Sequence, residues 1–264
     1  MEKHIHGKPP ILHKIVFELR YLYGYTYLDR CGRTINAIMR EAPEWIPKDQ
    51  GSPQNTPLLS VGNNCLFNFS ALKMDFSIEQ PIESQIESRD VELFKGQVDL
   101  LSRIVIDQLE LKEFTRIGLR AWYLFRGQDK PEAETWLRNL GLYTISGNLE
   151  TAFGGKIESV GMSVVLAGED RKFRIAMNGV ERGAQVDRGA EVIVIRSSSL
   201  SKNQDKYFKE QLRRKGSLRA MPEFASMIDV DAFQDDPISI DPRDFIETSL
   251  DQFMDRLWKA IPHP

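Results

Sequence analysis

The stretch Ile15-Val16-Phe17-Glu18-Leu19-Arg20-Tyr21-Leu22 decides the fold. Ile15, Phe17, Leu19 and Tyr21 alternate with Glu18 and Arg20, the period of two that marks a strand with one buried face. Downstream, Thr26 followed three residues later by Asp29 reads as a helix start. Leu28, Cys31, Ile35, Ile38 and Met39 then recur at helical spacing until Pro43 and Pro47 close the helix.

Two strand-like runs follow a polar loop: Leu58 to Phe69, and Leu72, Met74, Phe76 and Ile78, with Ser70-Ala71 as the hairpin connection. Val91, Phe94, Val98, Leu101 and Val105 predict an amphipathic helix from about Ser88 to Leu109. Alternation returns in Ile117, Leu119, Ala121, Tyr123 and Phe125. The order is βαββαβ, that of a ferredoxin-like half in which helices cover one face of an antiparallel sheet.

Pro131 to Asn139 reads as a short linking helix. Beyond it, Val160 to Leu166, Phe173 to Met177, and Val192 with Val194 predict three strands, with turns at Gly168-Glu169-Asp170 and Asn178-Gly179. A basic helix from about Lys202 to Lys215 and a strand through Ala225, Ile228, Val230 and Phe233 come next. The last helix is the clearest: Asp241 as N-cap, Pro242 at the first helical position, and a stripe of Ile246, Leu250, Phe253, Met254, Leu257 and Trp258. The expected class is α+β, a two-part antiparallel sheet protein. Residues 1–126 form the ferredoxin-like half, 127–150 a linking segment, and 151–264 a second half, βββαβα.

The 264 residues are 41% hydrophobic, 28% charged and 9% aromatic, with a formal net charge of −3. That composition excludes disordered, collagen-like and disulfide-rich classes. The small negative charge argues against wholesale coating of nucleic acid or an anionic membrane. The polar N-terminus lacks a secretory signal, and the apolar stretch Val160–Ala167 falls far short of the roughly 20 residues of a membrane span. Two isolated cysteines, Cys31 and Cys65, sit in apolar patterns. A soluble, cytoplasmic, reduced setting with core thiols is the expectation.

Catalytic motifs are thin. Gly154-Gly155-Lys156 lacks the earlier glycine and the following Ser or Thr of a phosphate loop. Ser163 lies within a strand pattern and nothing supplies it a base. All four histidines lie near the chain ends: His4, His6, His13 and His263. No catalytic residue and no cofactor are expected. Asp229 and Asp231, two apart on a strand, project from one face. Paired carboxylates can hold a divalent metal, so they are the weak metal candidates, and a solvated strand face is the plainer reading.

Binding chemistry is better represented. Arg196 to Arg219 holds eight basic residues against Asp205 and Glu210, and Tyr207 and Phe208 interleave with them. Lys206, Lys209, Arg213, Arg214, Lys215 and Arg219 are the candidates there for contact with a partner or nucleic acid. Glu223 to Arg256 holds ten acids against two arginines, so the two segments are complementary in charge, within one molecule or between molecules. On the strand after Phe114, the side opposite the apolar alternation carries Arg116, Arg120 and Trp122, a further place for an anion or a partner.

Pro9-Pro10-Ile11, the strand ending Glu18-Leu19-Arg20-Tyr21, Asp229-Val230-Asp231 and the amphipathic helix from Asp241 to Ala260 together resemble a sporadically distributed bacterial family of about this length, whose members have no assigned function. The order of elements matches over nearly the whole chain. The resemblance implies a cytoplasmic protein without assigned catalytic residues, from mobile islands that carry toxin–antitoxin or antiviral bacterial defence systems.

The reading that results is a non-enzymatic interaction component of such a locus. It would bind another protein, encoded nearby or a second copy of itself, through exposed sheet edges and charged segments, with no membrane partner. The first alternative is a nucleic-acid-binding module using the basic helix 202–219. The second is a metal-dependent enzyme using Asp229 and Asp231.

Overall fold

A computed structural model describes residues 11–22, 24–48, 55–60, 62–80, 84–127, 130–142, 144–157, 160–181 and 224–260. Its central strand, β1 (Ile11–Tyr21), buries Ile15, Phe17, Leu19 and Tyr21 on one face, while Glu18 and Arg20 point from the other. A single 3-10 turn (Gly24–Thr26) leads into α1 (Tyr27–Glu41). The strands β2 (Trp45–Pro47), β3 (Thr56–Ser60), β4 (Cys65–Phe69) and β5 (Lys73–Glu79) follow, then α2 (Ser88–Leu109) and β6 (Phe114–Gly127). Next come α3 (Lys130–Asn139), α4 (Asn148–Phe153), β7 (Gly161–Ala167), β8 (Lys172–Glu181), β9 (Phe224–Asp235) and α5 (Pro242–Ala260).

The strands form one sheet in the order β2-β3-β4-β5-β1-β6-β9-β8-β7. Register is fixed by apolar alternation: Leu19 lies opposite Met74 and Phe17 opposite Phe76, so slipping by one residue would turn both strands' apolar sets to the wrong face. The protein is therefore α+β, and the second stretch does not form a sheet of its own. Strands from both stretches share this sheet, and the first stretch supplies six of them. That is two more than expected: β2 is one, and the other arises because the run Leu58–Phe69 is itself a hairpin. It breaks at Gly62-Asn63-Asn64, where Asn64 takes a left-handed φ of 52°, and Ser60 faces Cys65 across it.

Contacts group the described residues into two units, each discontinuous in sequence. The larger takes in 11–123, 163–176 and 228–260, and the smaller 124–142, 144–157, 160–162, 177–181 and 224–227. In the larger unit, α1 packs on α2 and α2 on α5. An aromatic cluster lies beneath them: Phe76 meets Phe94 at 5.0 Å and Trp45 at 5.3 Å between ring centroids, and Tyr27 meets Phe69 at 5.6 Å, all edge to face. Burying each such ring contributes about 1.5–3 kcal/mol.

The start of α1 is not a self-capping one. Thr26 Oγ1 donates to Leu109 O at 3.0 Å instead of to its own helix, and Arg30 Nη1 donates to Gln108 O at 3.1 Å. Both satisfy orphan carbonyls at the C-terminus of α2, which ends at Glu110 in the left-handed region. The buried stripe of α1 is Tyr27, Thr34, Ala37 and Ile38, whereas Leu28 and Met39 of the expected stripe are exposed. The cap of α5 is as the sequence indicates, with Asp244 N–H donating to Asp241 Oδ1 at 3.0 Å.

In the smaller unit, Asn178-Gly179 lies inside β8 and not at a turn. Gly179 is there because a side chain would collide with the Glu134 carboxylate, which is buried and accepts from Val160 N–H at 3.2 Å. Gly154, φ 62°, ends α4, and Gly155 N–H returns to Glu150 O. The Gly-Gly-Lys run thus caps a helix C-terminus, the end whose dipole repels phosphate.

Candidate functional site

The face of the larger unit's sheet opposite the helices is charged, and β6 supplies its middle. Ile117, Leu119, Ala121 and Tyr123 are buried, so alternation turns Arg116, Arg120 and Trp122 to the other side, as the sequence indicates. There they meet Asp229 and Asp231 on the neighbouring strand β9. Arg120 binds Asp229 through both oxygens, Nε to Oδ1 at 2.7 Å and Nη2 to Oδ2. Arg174 of β8 donates to Asp229 Oδ2 at 3.1 Å from the other side. Arg116 Nη2 donates to Asp231 Oδ2 at 3.0 Å, and Arg174 Nε lies 3.8 Å from the same oxygen.

Asp229 and Asp231 are only 2% and 9% exposed, which overturns the solvated strand face expected of them. β9 lies inside the sheet, with β6 on one side and β8 on the other, and arginine side chains from both fold over its carboxylates. Burial raises the Asp231 carboxyl above the ordinary carboxylate range, and Arg116, Arg174 and Arg120 only partly offset it. The hydrogen bonds it donates to Asp229 raise Arg120 further still. A divalent cation at this pair would have to displace three guanidiniums. Among the described residues, no group of three or more His, Cys, Asp or Glu side chains is placed to hold a metal.

Aromatic rings seat the cations. The Arg116 guanidinium lies 4.0 Å from the centroid of Phe233, while Lys14 and Arg120 lie 4.6 and 5.3 Å from that of Trp122. Toward β1 the network continues through Glu18, which accepts from Arg20 at 2.7 Å and Lys73 at 3.3 Å. Burial pushes that carboxyl up, but these cations leave it below its ordinary value. Toward the opposite side, Lys172 pairs with Asp235 at 2.7 Å. This face is a self-neutralised ladder across β5, β1, β6, β9 and β8. Its charges are engaged with one another, which suits rigidity more than catalysis.

Four acids of the stretch 223–256 are engaged in the same way. Asp229, Asp231 and Asp235 pair with cations of β6 and β8. Glu247 lies 3.5 Å from the buried Lys95 of α2. These partners come from outside the basic segment. Lys206, Lys209, Arg213, Arg214, Lys215 and Arg219, with the helix 202–219 and the strand through Val192 and Val194, lie outside the described residues. Sequence reading missed Arg174 and Lys172, because the apolar alternation of Phe173, Ile175 and Met177 says which residues face away from the core but not which carboxylates they meet.

The two edges of the sheet differ sharply. β2 is three residues long, ends at Pro47 and is flanked by Glu44 and Lys48, the usual guards of an edge strand. β7 is seven residues, Gly161-Met162-Ser163-Val164-Val165-Leu166-Ala167, with no charge and no proline. It lies last in the strand order, so its outer edge pairs with no described strand. The segment is the strand expected, and β7 is exposed nearly throughout, with Val165 58% and Leu166 49% accessible.

No family model matches the chain, and no curated protein matches it. No helix among the described residues is long and apolar enough to cross a membrane.

Proposed function

We propose that this is a non-enzymatic binding protein that recruits another protein by strand addition at β7. The observation that supports the reading is the outer edge of Gly161–Ala167: apolar, uncharged, and unpaired among the described residues. An extended segment laid along it gains a ladder of backbone hydrogen bonds, and alternate side chains contact Val164 and Val165. The partner's chemistry follows from the edge: a neutral, β-branched, extended segment.

The test places a photo-crosslinking residue at Ser163, exposed on β7, and compares adducts formed in the native host with those of a second protein that also carries Val165→Lys. A defined adduct that Val165→Lys abolishes, with circular dichroism unchanged, is the expected result. No adduct, or one indifferent to Val165→Lys, overturns the proposal.

A further inference from the structure

Beneath the β7–β8 hairpin, between the sheet and α5, lies a cavity of about 250 Å³ whose lining is mostly apolar. Its walls include Leu166 of β7, Phe173 and Ile175 of β8, Val230 of β9, and Phe253 and Arg256 of α5. The lining changes with depth. Val230, Phe253 and Phe173 are buried, whereas Leu166, Ala167, Gly168 and Arg256 are exposed, so the cavity opens at the outer strand and closes beneath β9.

An apolar cavity of roughly 150 Å³ already admits a benzene ring, and this one is larger. At about 250 Å³ it has room beyond a six-carbon ring, enough for an unbranched chain of about eight carbons.

The mouth carries a cation. The Arg256 guanidinium stacks over Phe173, 4.6 Å from its centroid, and makes no ion pair within 4.0 Å among the described residues. The nearby Asp170 accepts from Arg171 Nε at 2.9 Å, and Arg256 adds a weaker electrostatic pull on the same carboxyl. An apolar cavity whose mouth carries a guanidinium without an ion pair among the described residues fits an amphipathic anion.

We infer that this cavity binds medium-chain alkyl carboxylates, the chain running under β8 to Val230 and Phe253 and the carboxylate resting on Arg256. The site is independent of strand addition, since Val165 does not line it.

The test titrates the full-length protein with octanoate, following methyl resonances by NMR and heat by calorimetry, with octanol as the uncharged probe. One saturable octanoate site per chain is expected, with octanol about two- to fivefold weaker, the worth of one partly exposed ion pair. Arg256→Glu should remove the preference for octanoate over octanol. Ala167→Trp, at the exposed mouth, should abolish binding of both without unfolding the chain, and Val165→Lys should leave it intact. Absence of saturable octanoate binding at millimolar concentration, or binding undiminished in Ala167→Trp, overturns the inference.

Discussion

Arg120 on β6 and Asp229 on β9, 109 residues apart in sequence, form a fork-to-fork pair in which Nε and Nη2 each donate to one carboxylate oxygen. Bidentate geometry adds direction to charge, so the pair sets the lateral alignment of two neighbouring strands as well as neutralising them.

Asp229→Ala should destabilise the protein by about 2 kcal/mol, below the roughly 3–5 of a fully buried pair because Arg120 and Arg174 keep access to water. Urea unfolding of Asp229→Ala, Arg120→Ala and the double variant checks it. A coupling energy of about 1 kcal/mol or more is expected, and simple additivity would show that the fork contributes nothing.

Acid should weaken the fold through Glu79. The hydrogen bond from His13 is the main cause that holds its carboxyl at about 2 against an ordinary 4.5; Lys14 adds to it, and burial opposes both. A carboxyl lowered on folding binds fewer protons in the native state. Its stabilisation is therefore present above pH 4.5 and lost as the pH falls toward 2. Asp231, raised by burial, works in the opposite sense. Urea midpoints measured across that window should fall less steeply in Glu79→Gln than in the wild type; equal slopes would remove Glu79 from the account.

Gly179→Ala should cost about 1–3 kcal/mol, the range for forcing an atom into packed space. The added carbon meets the Glu134 carboxylate, so Glu134→Ala in the same chain should recover part of the loss. Thermal unfolding of the two single variants and the double reads this directly. Additive losses would mean that Gly179 is needed for some other reason.

The two cysteines should differ in reactivity. Cys65 is buried, and that burial, with a smaller contribution from Asp90, pushes its thiol up to about 12; Cys31 is half-buried. A thiolate is the reacting form, so alkylation at neutral pH should modify Cys31 and spare Cys65 until the protein unfolds. Peptide mass mapping of the alkylated native protein decides it.

How much of this was legible in the sequence varies by element. The core faces of β1 and β6, the extent of α2 and the cap of α5 follow from periodicity and from local side-chain-to-backbone bonds, and the structure agrees at each. The stripe of α1 was misjudged. Leu28 and Met39 keep helical spacing with the core residues, but which face is covered depends on where α2 and the sheet lie. Asn178-Gly179 has the composition of a turn, yet its glycine answers to Glu134, 45 positions away in sequence.

The same division runs through the candidate sites. Alternation alone brought Arg116, Arg120 and Trp122 to one face, and Asp229 with Asp231 to one face, because side-chain direction in a strand is a property of the chain itself. That these two faces are one face, that Arg174 joins them, and that the carboxylates are thereby spent on arginines was decided by strand order, which brings together segments more than fifty residues apart. The uncharged character of 161–167 was likewise plain to read. Its position at the edge of the sheet, which makes that character a binding surface and opens a cavity beneath it, belongs to the tertiary structure alone, since an edge exists only by reference to the strands that are not beside it.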